Sequence, residues 1–491
     1  MESPLPASYL LAVLIALPTF ALLLLLSIAN KRAPGKSSAP GTPPPGWFGW
    51  PVLGETLELL RAGREGRPRR FLDERVDRHG PRVFTTSLFG EKTAVFCGTA
   101  GNQFLFGNER RKVTVWWPSS AVKLLGPCLL TAAGDEGKVM RRMLASVFNH
   151  EALARFAKIM DEAARNHIKA SWEGKEEVLV YPTIKYYTFE LTCRLFLSIH
   201  DPREIADLVR PFTAFAEGFI SVPLDLPGTR FHGAKRAARS IRKMLREIIK
   251  ERRAGLEKGT ASPAQDLLSY LMVAADENGR VLTETEIINN LLLLLGASHD
   301  TSSSATTTVI KFLGELPHVY EKVLAEQREI AMQKQSAGEG LTREDVQKMR
   351  ETWSVVLEAM RLVPSALGGF RVALEDFTFC GYTIPKGWKL MWSVLTTNND
   401  PAIFPSPEQF DAARFARSSS PAPCAFMPFG GGPRMCLGKD YAQLQILIFL
   451  HHLVNNFKWT NAVPNEKVKF EPFPIPSQGL PIRIRPHYDR P

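Results

Sequence analysis

Residues 429–438 read Phe-Gly-Gly-Gly-Pro-Arg-Met-Cys-Leu-Gly, and the interpretation of the whole chain starts from them. Three consecutive glycines lose much backbone entropy wherever they are ordered, so they predict a loop that turns sharply and lies close to something flat. Beyond Gly438, an apolar run from Tyr441 to Leu450 is long enough for a helix. The stretch therefore predicts a glycine loop that leads into a helix.

Cys436 lies between the glycine turn and this predicted helix. The unpaired amides and the positive dipole end of a helix favour a thiolate over a thiol. Arg434, two residues earlier, can carry a positive charge toward an acidic group. Together the two side chains fit an axial thiolate ligand for haem iron and a partner for a haem propionate. The alternative is a small buried cysteine beside an ordinary turn.

The full pattern, Phe-x-x-Gly-x-Arg-x-Cys-x-Gly, resembles the haem-binding signature of the cytochrome P-450 superfamily. It is matched at Phe429, Gly432, Arg434, Cys436 and Gly438. The resemblance implies the cytochrome P-450 fold, which is mainly α with a small β region. It also implies haem b with Cys436 as the axial thiolate, Phe429 and Gly438 as cofactor-binding residues, and electrons from NADPH through NADPH-cytochrome P-450 reductase.

The charge balance narrows the classes of partner. The 491 residues carry a net charge of +11, which suits nucleic acid, an anionic membrane surface or an acidic protein. The basic residues are scattered apart from a cluster between Arg230 and Arg253, and no nucleic-acid module is recognisable. We therefore expect a membrane and an acidic electron donor as partners, and no nucleic acid. Six cysteines without a CxxC pair indicate reduced thiols in a cytosol-facing protein.

An uncharged run over residues 9–29 predicts a membrane anchor. At about 1.5 Å per residue it can cross a hydrocarbon core of roughly 30 Å. Lys31, Arg32 and Lys36 follow it, and the positive-inside rule then leaves the rest of the chain in the cytosol. The alternative is a cleaved signal peptide, because residues 27–29 form a small-x-small site.

The sequence accordingly divides into three parts. We expect a single-pass transmembrane anchor over residues 1–30 and a basic, proline-rich hinge over 31–50, whose prolines favour an extended path without ladder bonds. Residues 51–491 are expected to form the haem-thiolate catalytic domain. Together with the resemblance, the anchor implies a protein of the endoplasmic reticulum membrane whose catalytic domain faces the cytosol.

Most of the remaining pattern is helical, with two β-rich stretches. Alternation over Val83–Leu88 and Thr93–Phe96 predicts a hairpin across Gly90, and Phe377–Trp388 predicts short strands. The apolar loop Phe219–Gly228 is followed by a strongly basic helix. The two segments indicate either a second membrane contact or a lid over a lipophilic site. A buried loop beside a solvated helix face remains equally compatible with the pattern.

One long buried helix is predicted over Glu284–Glu315, because its first half is apolar almost all round. Asp300 inside such a helix is unfavourable unless it has a partner or a function. The hydroxyl of Thr301 can bond to a carbonyl one turn back and open room for water or a ligand. An acid beside a hydroxyl can relay protons to dioxygen on a metal. The alternative is a polar pair satisfied within the helix.

The same segment matches the P-450 pattern Ala/Gly-Gly-x-Asp/Glu-Thr at Ala297, Asp300 and Thr301. The resemblance implies that Asp300 and Thr301 are the catalytic residues of the oxygen side. Ser298 stands where the family has glycine, and because serine is small we expect the oxygen groove to survive. We expect His299 to pack or to make a local hydrogen bond, and not to bind metal.

A second family motif, Glu-x-x-Arg, is matched at Glu358 and Arg361, on a predicted helix over Trp353–Leu362. Their spacing places both side chains on one helix face, and the flanking aliphatic residues predict burial. An ordinary pair on a helix face is the alternative. The resemblance supplies Arg414 as a third member and implies a structural clamp that supports the haem loop.

Two further arginines are candidate propionate ligands by resemblance. Arg371 precedes the short strands, and Arg141 lies on a helix after the turn at Gly134-Asp135. An ordinary surface residue is the alternative for both. The family often has a second polar partner four residues before Arg141, where this chain has Gly137.

Finer likeness points to plant triterpenoid oxidases of the beta-amyrin 28-monooxygenase type. It implies an NADPH- and O₂-dependent monooxygenase that oxidises one methyl group of a pentacyclic triterpene, at a C-28-like position, through alcohol and aldehyde to acid. A diterpenoid or steroid hormone is the nearest alternative substrate. A haem-thiolate isomerase or dehydratase that needs no O₂, or a non-catalytic haem sensor, are alternatives of another class. The segments that carry this likeness are 96–98, 116–118, 225–229 and 384–389.

Overall fold

The computed structural model describes residues 41–50, 53–337, 339–416 and 421–487, together with Thr19. Among these residues no helix is both long enough and apolar enough to cross a bilayer. Apart from Thr19, the predicted anchor over residues 1–30 lies outside the described residues, as does the first half of the predicted hinge. The anchor therefore stays a prediction.

The described chain is mainly helical, as predicted. Two 3₁₀ turns, Ser146–Phe148 and Gly432–Arg434, supplement the α-helices. The α-helices are α1 Thr56–Arg64, α2 Pro68–His79, α3 Gly98–Gly107, α4 Ser119–Leu125, α5 Gly134–Ala145, α6 His150–Ser171, α7 Val180–Leu197, α8 Pro202–Phe219, α9 Arg230–Glu257, α10 Leu267–Val273, α11 Glu284–Glu315, α12 Pro317–Ala337, α13 Arg343–Lys348, α14 Arg350–Leu362, α15 Leu395–Asn398, α16 Ala413–Ala416 and α17 Lys439–Asn456.

The strands are short and form a small β region. They are β1 Val83–Leu88, β2 Glu91–Phe96, β3 Val113–Val115, β4 Glu177–Leu179, β5 Gly368–Ala373, β6 Phe377–Phe379, β7 Tyr382–Ile384, β8 Lys389–Ser393, β9 Phe457–Asn461, β10 Val468–Phe470, β11 Pro474–Pro476 and β12 Pro481–Pro486. One five-stranded sheet has the order β1-β2-β8-β5-β3, and a three-stranded sheet has the order β4-β12-β9. The predicted β1–β2 hairpin is confirmed, with Val83 opposite Phe96 and Gly90 at φ 79° in its turn.

The chain falls into two compact units. The first comprises residues up to Trp116 together with Gly369–Thr396, and it contains the five-stranded sheet. The second comprises Trp117–Gly368 and Thr397–Pro491, and it contains most of the helices. The predicted catalytic domain over residues 51–491 includes both units, and its treatment as one domain stays a prediction.

In the first unit, the proline-rich segment pairs with the edge of the sheet. Thr85 donates from its amide to the carbonyl of Pro45 at 2.8 Å, and Trp47 donates to the carbonyl of Thr85 at 3.2 Å. Gly46 is required here because a Cβ atom on it would lie 1.9 Å from the Thr85 carbonyl oxygen. The expectation of a hinge without ladder bonds is therefore wrong for this part of the segment.

In the second unit, α11 is the long helix that the sequence predicts, with the same limits. Thr283 and Glu286 form a capping box at its start, in which each side chain bonds to the other's backbone amide. Its buried residues continue through most of its length, and α7, α14 and α17 pack against it. The helix ends before Pro317, which cannot continue the helical hydrogen bonds.

Helix α17, which follows the glycine loop, is tied to its neighbours by buried polar side chains. His452 bonds through Nε2 to Oδ1 of Asp161 on α6 at 2.6 Å. His451 bonds through Nδ1 to Oε1 of Gln327 on α12 at 2.8 Å, and Gln327 donates to Thr352 on α14 at 2.7 Å. Helix α17, which begins directly after Gly438, is thus tied to α6 and to α12, and Gln327 in turn links α12 to α14.

The burial of His167 predicts how the stability of the second unit depends on pH. His167 lies between the rings of Tyr187 and Phe449, at centroid distances of 5.1 and 6.2 Å. Among the described residues, no group hydrogen-bonds to its Nε2 atom. Burial lowers the pKa of His167 to about 4.

The folded protein therefore keeps His167 neutral while the unfolded chain protonates it below about pH 6.5. Because the folded-state pKa is the lower one, this stabilisation is complete above pH 6.5 and is lost as the pH falls toward 4. We expect His167 to account for a loss on the order of 2 kcal/mol between pH 7 and pH 5. Replacing it by phenylalanine should flatten the pH dependence of chemical unfolding, whereas His200→Phe, at an exposed position, should not. Equal slopes in all three proteins would contradict the prediction.

Candidate active site

The glycine loop adopts the sharp turn that its sequence predicts. Gly430 and Gly432 have φ values of 71° and 63°, a region that residues with a side chain rarely adopt. The amide of Cys436 donates to the carbonyl of Phe429 at 2.9 Å and closes the loop. The ring of Phe429 stacks on Trp353 of α14, with centroids 6.4 Å apart and planes 19° apart. The loop is therefore fixed by its own backbone and by α14.

The side chain of Cys436 is exposed, yet the surrounding protein is dense enough for burial to raise the pKa of the thiol. A hydrogen bond from the backbone at Gly438 and the charge of Arg141 act in the opposite direction without outweighing burial. The helix end thus favours the thiolate as predicted, but a bound cation is needed to hold the sulfur ionised.

The side chain of Arg434 crosses α5 at Gly137, which has no side chain. Its guanidinium donates to the carbonyl of Leu129 at 3.1 Å and also to the carbonyl of Ala132. A Cβ atom on Gly137 would lie 3.0 Å from Nη2 of Arg434 and 2.5 Å from the carbonyl oxygen of Ala132. Gly137, where this chain departs from the family, is therefore the position that leaves room for the arginine.

The two weaker propionate candidates lie in different surroundings. Arg141, on α5, donates to the carbonyl of Met435 and so contacts the cysteine loop. Arg371, on β5 in the first unit, is buried, pairs with the carboxylate of Glu109 and donates to the carbonyl of Phe370 at 2.7 Å. The structure thus brings Arg141 and Arg434 to the loop, and the propionate role of Arg371 stays a prediction.

Helix α11 has an open face in the middle of its buried length. Ala297 is exposed and Thr301 is half-buried, although the flanking residues His299, Asp300 and Ser302 are buried. Thr301 donates its hydroxyl hydrogen to the carbonyl of Ala297 at 2.8 Å, as the sequence predicts. Helix α11 packs against α17, the helix that follows the cysteine loop, so this face and Cys436 belong to the same unit.

Asp300 is paired with a lysine that sequence reasoning missed. Nζ of Lys185, on α7, lies 2.9 Å from Oδ1 of Asp300, and the lysine side chain is 23% exposed whereas that of Asp300 is 5% exposed. Burial lowers the pKa of Lys185, but the charge of Asp300 and the hydroxyl of Tyr181 outweigh burial and raise it. The ammonium group of Lys185 therefore stays charged and connects a buried carboxylate to the protein surface.

The serine that replaces the family glycine joins two helices. Ser298 donates to the carbonyl of Leu294 at 2.7 Å, and Thr192 on α7 donates to the carbonyl of Thr188 at 2.7 Å. The two hydroxyl oxygens lie 3.1 Å apart, so a bond between them shares one of these hydrogens. His299 makes the local hydrogen bond that we expected, from Nδ1 to the carbonyl of Leu295 at 2.9 Å. Burial lowers its pKa more than the neighbouring Asp300 raises it, so the ring is neutral.

The residues of the predicted clamp lie together, with Arg361 and Arg414 both beside the carboxylate of Glu358. Glu358 and Arg361 are fully buried, and Nε and Nη2 of the arginine each donate to the carboxylate at 2.7 Å. Arg361 also donates to the carbonyls of Asn398 and Gln409, at 2.8 and 3.2 Å. Arg414 lies 3.5 Å from the same carboxylate. These bonds fasten the segment before the glycine loop to α14.

No sequence signal distinguishes Lys185, Thr192 or Trp353 from ordinary helix residues. A lone lysine or threonine on a helix is common, and the partner of each lies more than 70 residues away in the chain. Only the packing of α7 and α14 against the site makes them part of it.

The arrangement fits a haem group. A cysteine beside a glycine loop, one arginine within that loop, a second arginine that donates to it, and an open helix face with a hydroxyl beside a buried acid are the donor set expected of a haem-thiolate centre. In such a site Cys436 would ligate the iron, and Arg434 and Arg141 would lie beside the propionates. The fold and the site thus define a haem-thiolate protein.

Comparison with known proteins identifies the family. The profile of the cytochrome P450 family matches residues 44–483. The beta-amyrin 28-monooxygenases of Kalopanax septemlobus and Vitis vinifera are both 48% identical to this chain, over 92% and 90% of it and 93% and 92% of their own lengths. The structure of retinoic acid-bound cyanobacterial CYP120A1 is 32% identical, covers 91% of this chain and all of its own, and superimposes with a TM-score of 0.81.

The chain belongs to the cytochrome P450 family. It is a haem-thiolate monooxygenase that receives electrons from NADPH through a reductase, as is standard for this class.

The buried clamp predicts that removal of one of its charges strongly destabilises the fold. In Arg361→Met, the carboxylate of Glu358 remains fully buried without its partner, which costs about 3–5 kcal/mol of folding free energy. We expect low haem content and a lower unfolding midpoint in denaturant. The double variant Glu358→Met/Arg361→Met removes both charges and should recover part of the loss.

The matched control is Lys458→Met, which breaks the exposed 2.7 Å pair with Glu321 and should cost less than about 1 kcal/mol. The role of the buried pair would be contradicted if Glu358→Met/Arg361→Met lost as much stability as Glu358→Met and Arg361→Met lose in sum.

The 3.1 Å contact between the hydroxyls of Ser298 and Thr192, in which one hydroxyl hydrogen is shared with a carbonyl of its own helix, predicts a measurable coupling. Ser298→Ala and Thr192→Val should each destabilise the protein by about 1 kcal/mol, and the double variant by less than their sum. Ser298→Gly restores the family residue and should lose about 0.5–1 kcal/mol more than Ser298→Ala, because glycine weakens a helix interior. Additive effects of the two hydroxyl variants in urea unfolding would show that no such bond exists.

Proposed function

We propose that this protein is a microsomal monooxygenase that oxidises one methyl group of a pentacyclic triterpene of the beta-amyrin type. The reaction occurs at a C-28-like position and continues through the alcohol and the aldehyde to the carboxylic acid. Each round consumes one O₂ and one NADPH. The observation that carries the substrate class is the 47–48% identity, over at least 90% of the chain, to beta-amyrin 28-monooxygenases of several plants.

The roles of the loop residues follow from their positions. When bound, the haem supplies the activation of dioxygen and the oxidation of an unactivated carbon. Cys436 is the thiolate ligand that donates electron density to the iron. Arg434 and Arg141 hold positive charge at the propionate side, close to the carbonyls of Ala132 and Met435 that they now contact. The buried clamp keeps the loop in register with α14.

Asp300, Thr301 and Lys185 manage protons on the opposite wall. Asp300 accepts from the ammonium group of Lys185, which is partly open to solvent, so a proton can pass from the surface to the carboxylate. The hydroxyl of Thr301 donates to the carbonyl of Ala297, and its oxygen can accept a hydrogen bond from water beside the open face of α11. Lys185 and Asp300 therefore deliver protons, while Thr301 keeps the open face of α11 small and ordered.

The same face suits a rigid lipophilic substrate. Leu293 and Leu294 are half-buried beside the exposed Ala297, and a Cβ atom on Gly296 would lie 4.0 Å from the ring of Phe212. Apolar walls bind a triterpene skeleton by burying its surface and exclude water from the reacting carbon.

The membrane location is part of the proposal. The uncharged run over residues 9–29 and the basic residues after it support a single-pass anchor in the endoplasmic reticulum membrane, with the catalytic domain in the cytosol. A membrane location also brings the enzyme to a substrate that dissolves in lipid and to a membrane-bound NADPH-cytochrome P-450 reductase.

The test is expression of the full chain with a plant reductase in yeast, supplied with beta-amyrin, with a diterpene and with a sterol, and read by mass spectrometry. We expect three products of beta-amyrin, heavier by one oxygen for the alcohol and with the masses of the aldehyde and acid. The microsomes should show the thiolate-type absorption band of the reduced, carbon monoxide-bound protein. Cys436→Ser should lose both the band and the products.

The remaining outcomes separate the alternatives. Oxidation of the diterpene or sterol alone would replace the substrate class and leave the chemistry intact. Conversion without NADPH would identify an isomerase or dehydratase. A band without any conversion of the three scaffolds would contradict the proposed substrate.

A further inference from the structure

Five polar atoms between α6, α7 and α17 are buried and have no hydrogen-bond partner among the described residues. They belong to His167, Tyr187, Tyr441 and Gln445, which are at most 6% exposed; the amide of Gln445 contributes both its oxygen and its nitrogen. A buried polar atom without a partner costs folding free energy, and native proteins contain few of them. Water that is buried in a protein bonds to such atoms. We call these four side chains the interior cluster.

The members of the interior cluster lie close to one another. The ring of Tyr187 lies 5.1 Å from that of His167 and 4.8 Å from that of Phe449, measured between centroids. Tyr441, Gln445 and Phe449 follow one another at four-residue intervals on α17, so they lie on one face of that helix. Burial raises the pKa of Tyr187 most, and the phenol of Tyr441 raises it next, which places the two phenols in the same part of the interior. Bound water can therefore bridge the cluster.

Thr192 connects the interior cluster to α11. It lies four residues before Phe196 on α7, and the ring of Phe196 lies 5.7 Å from that of Tyr441. Burial raises the pKa of Tyr441, and the hydroxyl of Thr192 beside it acts in the opposite direction. The same hydroxyl oxygen lies 3.1 Å from that of Ser298. Hydroxyl groups thus lead from the cluster to Ser298, which is half-buried.

Ser298 lies at one border of the open face of α11. With about 100° of rotation per residue, it lies about 60° from Thr301, and Asp300 lies about as far from Ala297 at the opposite border. The family pattern has glycine where this chain has Ser298, and glycine offers no hydroxyl. This chain therefore has a polar group at both borders of the open face, of which the one at Asp300 is already linked to the surface.

The interior cluster has a link of its own to the solvent. Glu190 follows Tyr187 by three residues on α7, and its charge adds to the effects of burial and of Tyr441 that raise the pKa of Tyr187. Its carboxylate pairs with Arg194 at 2.5 Å, and the side chains of Glu190 and Arg194 are 19% and 22% exposed. A proton can therefore enter at Glu190 and move inward over water and hydroxyls, because each of these groups can accept one hydrogen bond and donate another.

We propose that water bound in the interior cluster forms a second proton route to the open face of α11, through the hydroxyls of Thr192 and Ser298. Each hydroxyl turns from the carbonyl of its own helix, accepts a proton from one neighbour and releases its own to the next. One proton from the solvent replaces the one delivered, and no charge remains in the interior. The inference deepens the proposed function, because it assigns a proton source to that reaction, but the bound water can be tested without a substrate.

The water is tested by X-ray radiolysis of the full-length, haem-loaded protein in ¹⁸O-labelled water, followed by mass spectrometry. Radicals formed from bound water oxidise the adjacent side chain even where bulk solvent has no access. We expect Tyr187 and Tyr441 to take up label roughly fivefold faster than Tyr320. Tyr320 is the matched control because it is equally buried, but its hydroxyl donates to the carbonyl of Phe457 at 2.7 Å.

Gln445→Leu separates bound water from unpaired polar atoms. If the amide binds water, the variant should lower the labelling of Tyr187 and Tyr441 and also the unfolding midpoint in urea, because the water loses two partners. If the amide has no partner at all, leucine removes that cost and the midpoint rises. A higher midpoint, or equal labelling of Tyr187, Tyr441 and Tyr320, would overturn the inference.

The route is tested with Thr192→Val, with Thr192→Ser as the rescue and Thr188→Val as the matched control. Thr188→Val removes a buried hydroxyl one turn earlier on α7, 3.3 Å from the carbonyl of His299, and leaves Thr192 in place. Each change is made in the native protein and in Asp300→Asn, in which the first route is blocked. In Asp300→Asn, Thr192→Val should lower the product formed per NADPH roughly tenfold and raise the solvent deuterium isotope effect. Thr192→Ser should restore both, and Thr188→Val should change neither.

The outcomes distinguish the two proposals. The second route is wrong if Thr192→Val acts no more strongly in Asp300→Asn than Thr188→Val does. If the native protein converts no beta-amyrin, the proposed substrate is wrong, whereas the labelling of Tyr187 and Tyr441 is still measured and still decides whether the interior cluster holds water.

Discussion

The structure of the site depends on one buried ion pair. Glu358 and Arg361 have no contact with solvent, so each charge must be compensated inside the protein, and both are: the carboxylate accepts from the arginine and from the amide of Asp411, and the arginine donates to carbonyls of the same incoming segment. A pair of this kind contributes little net stability, because desolvation offsets most of the attraction. Its effect is specificity, since any other path of the segment would leave one charge buried and unsatisfied. The segment that precedes the cysteine loop in the chain is thereby fixed to α14.

Helix α11 meets a conflict between burial and chemistry. A helix through a protein core is most stable when it is apolar, yet α11 carries an acid and a hydroxyl at its centre, the groups to which we assign proton transfer. The chain resolves the conflict with partners from α7 and from the helix's own backbone: Lys185 compensates Asp300, Thr192 lies within hydrogen-bond distance of Ser298, and Thr301 bonds one turn back. Helix α7 therefore packs on α11 through polar partners as well as through apolar side chains.

The sequence was sufficient for features that are local or carried by a motif. The limits of α11, the β1–β2 hairpin, the glycine turn before α17 and the Glu358–Arg361 pair all follow from periodicity, turn residues or spacing. It was insufficient where a contact joins distant segments. Lys185 gives no sign that it meets Asp300, and the proline-rich segment gave no sign that it would pair with Thr85. The sign of the pKa shift at Cys436 also required the fold, because burial, which the helix end does not offset, depends on everything packed around the loop.

Gly137 shows why a departure from a family pattern needs a structural reading. From the sequence, the missing polar residue four positions before Arg141 weakens the case for a propionate arginine on α5. In the structure, the same absence makes room for Arg434, whose guanidinium would otherwise meet a Cβ atom at 3.0 Å. Arg141 reaches the loop from α5 and donates to the carbonyl of Met435, whereas Arg434, itself a loop residue, extends away to the carbonyl of Ala132. Of the two charges, that of Arg141 acts on the Cys436 thiol, and Gly137 leaves the guanidinium of Arg434 its path beside Ala132.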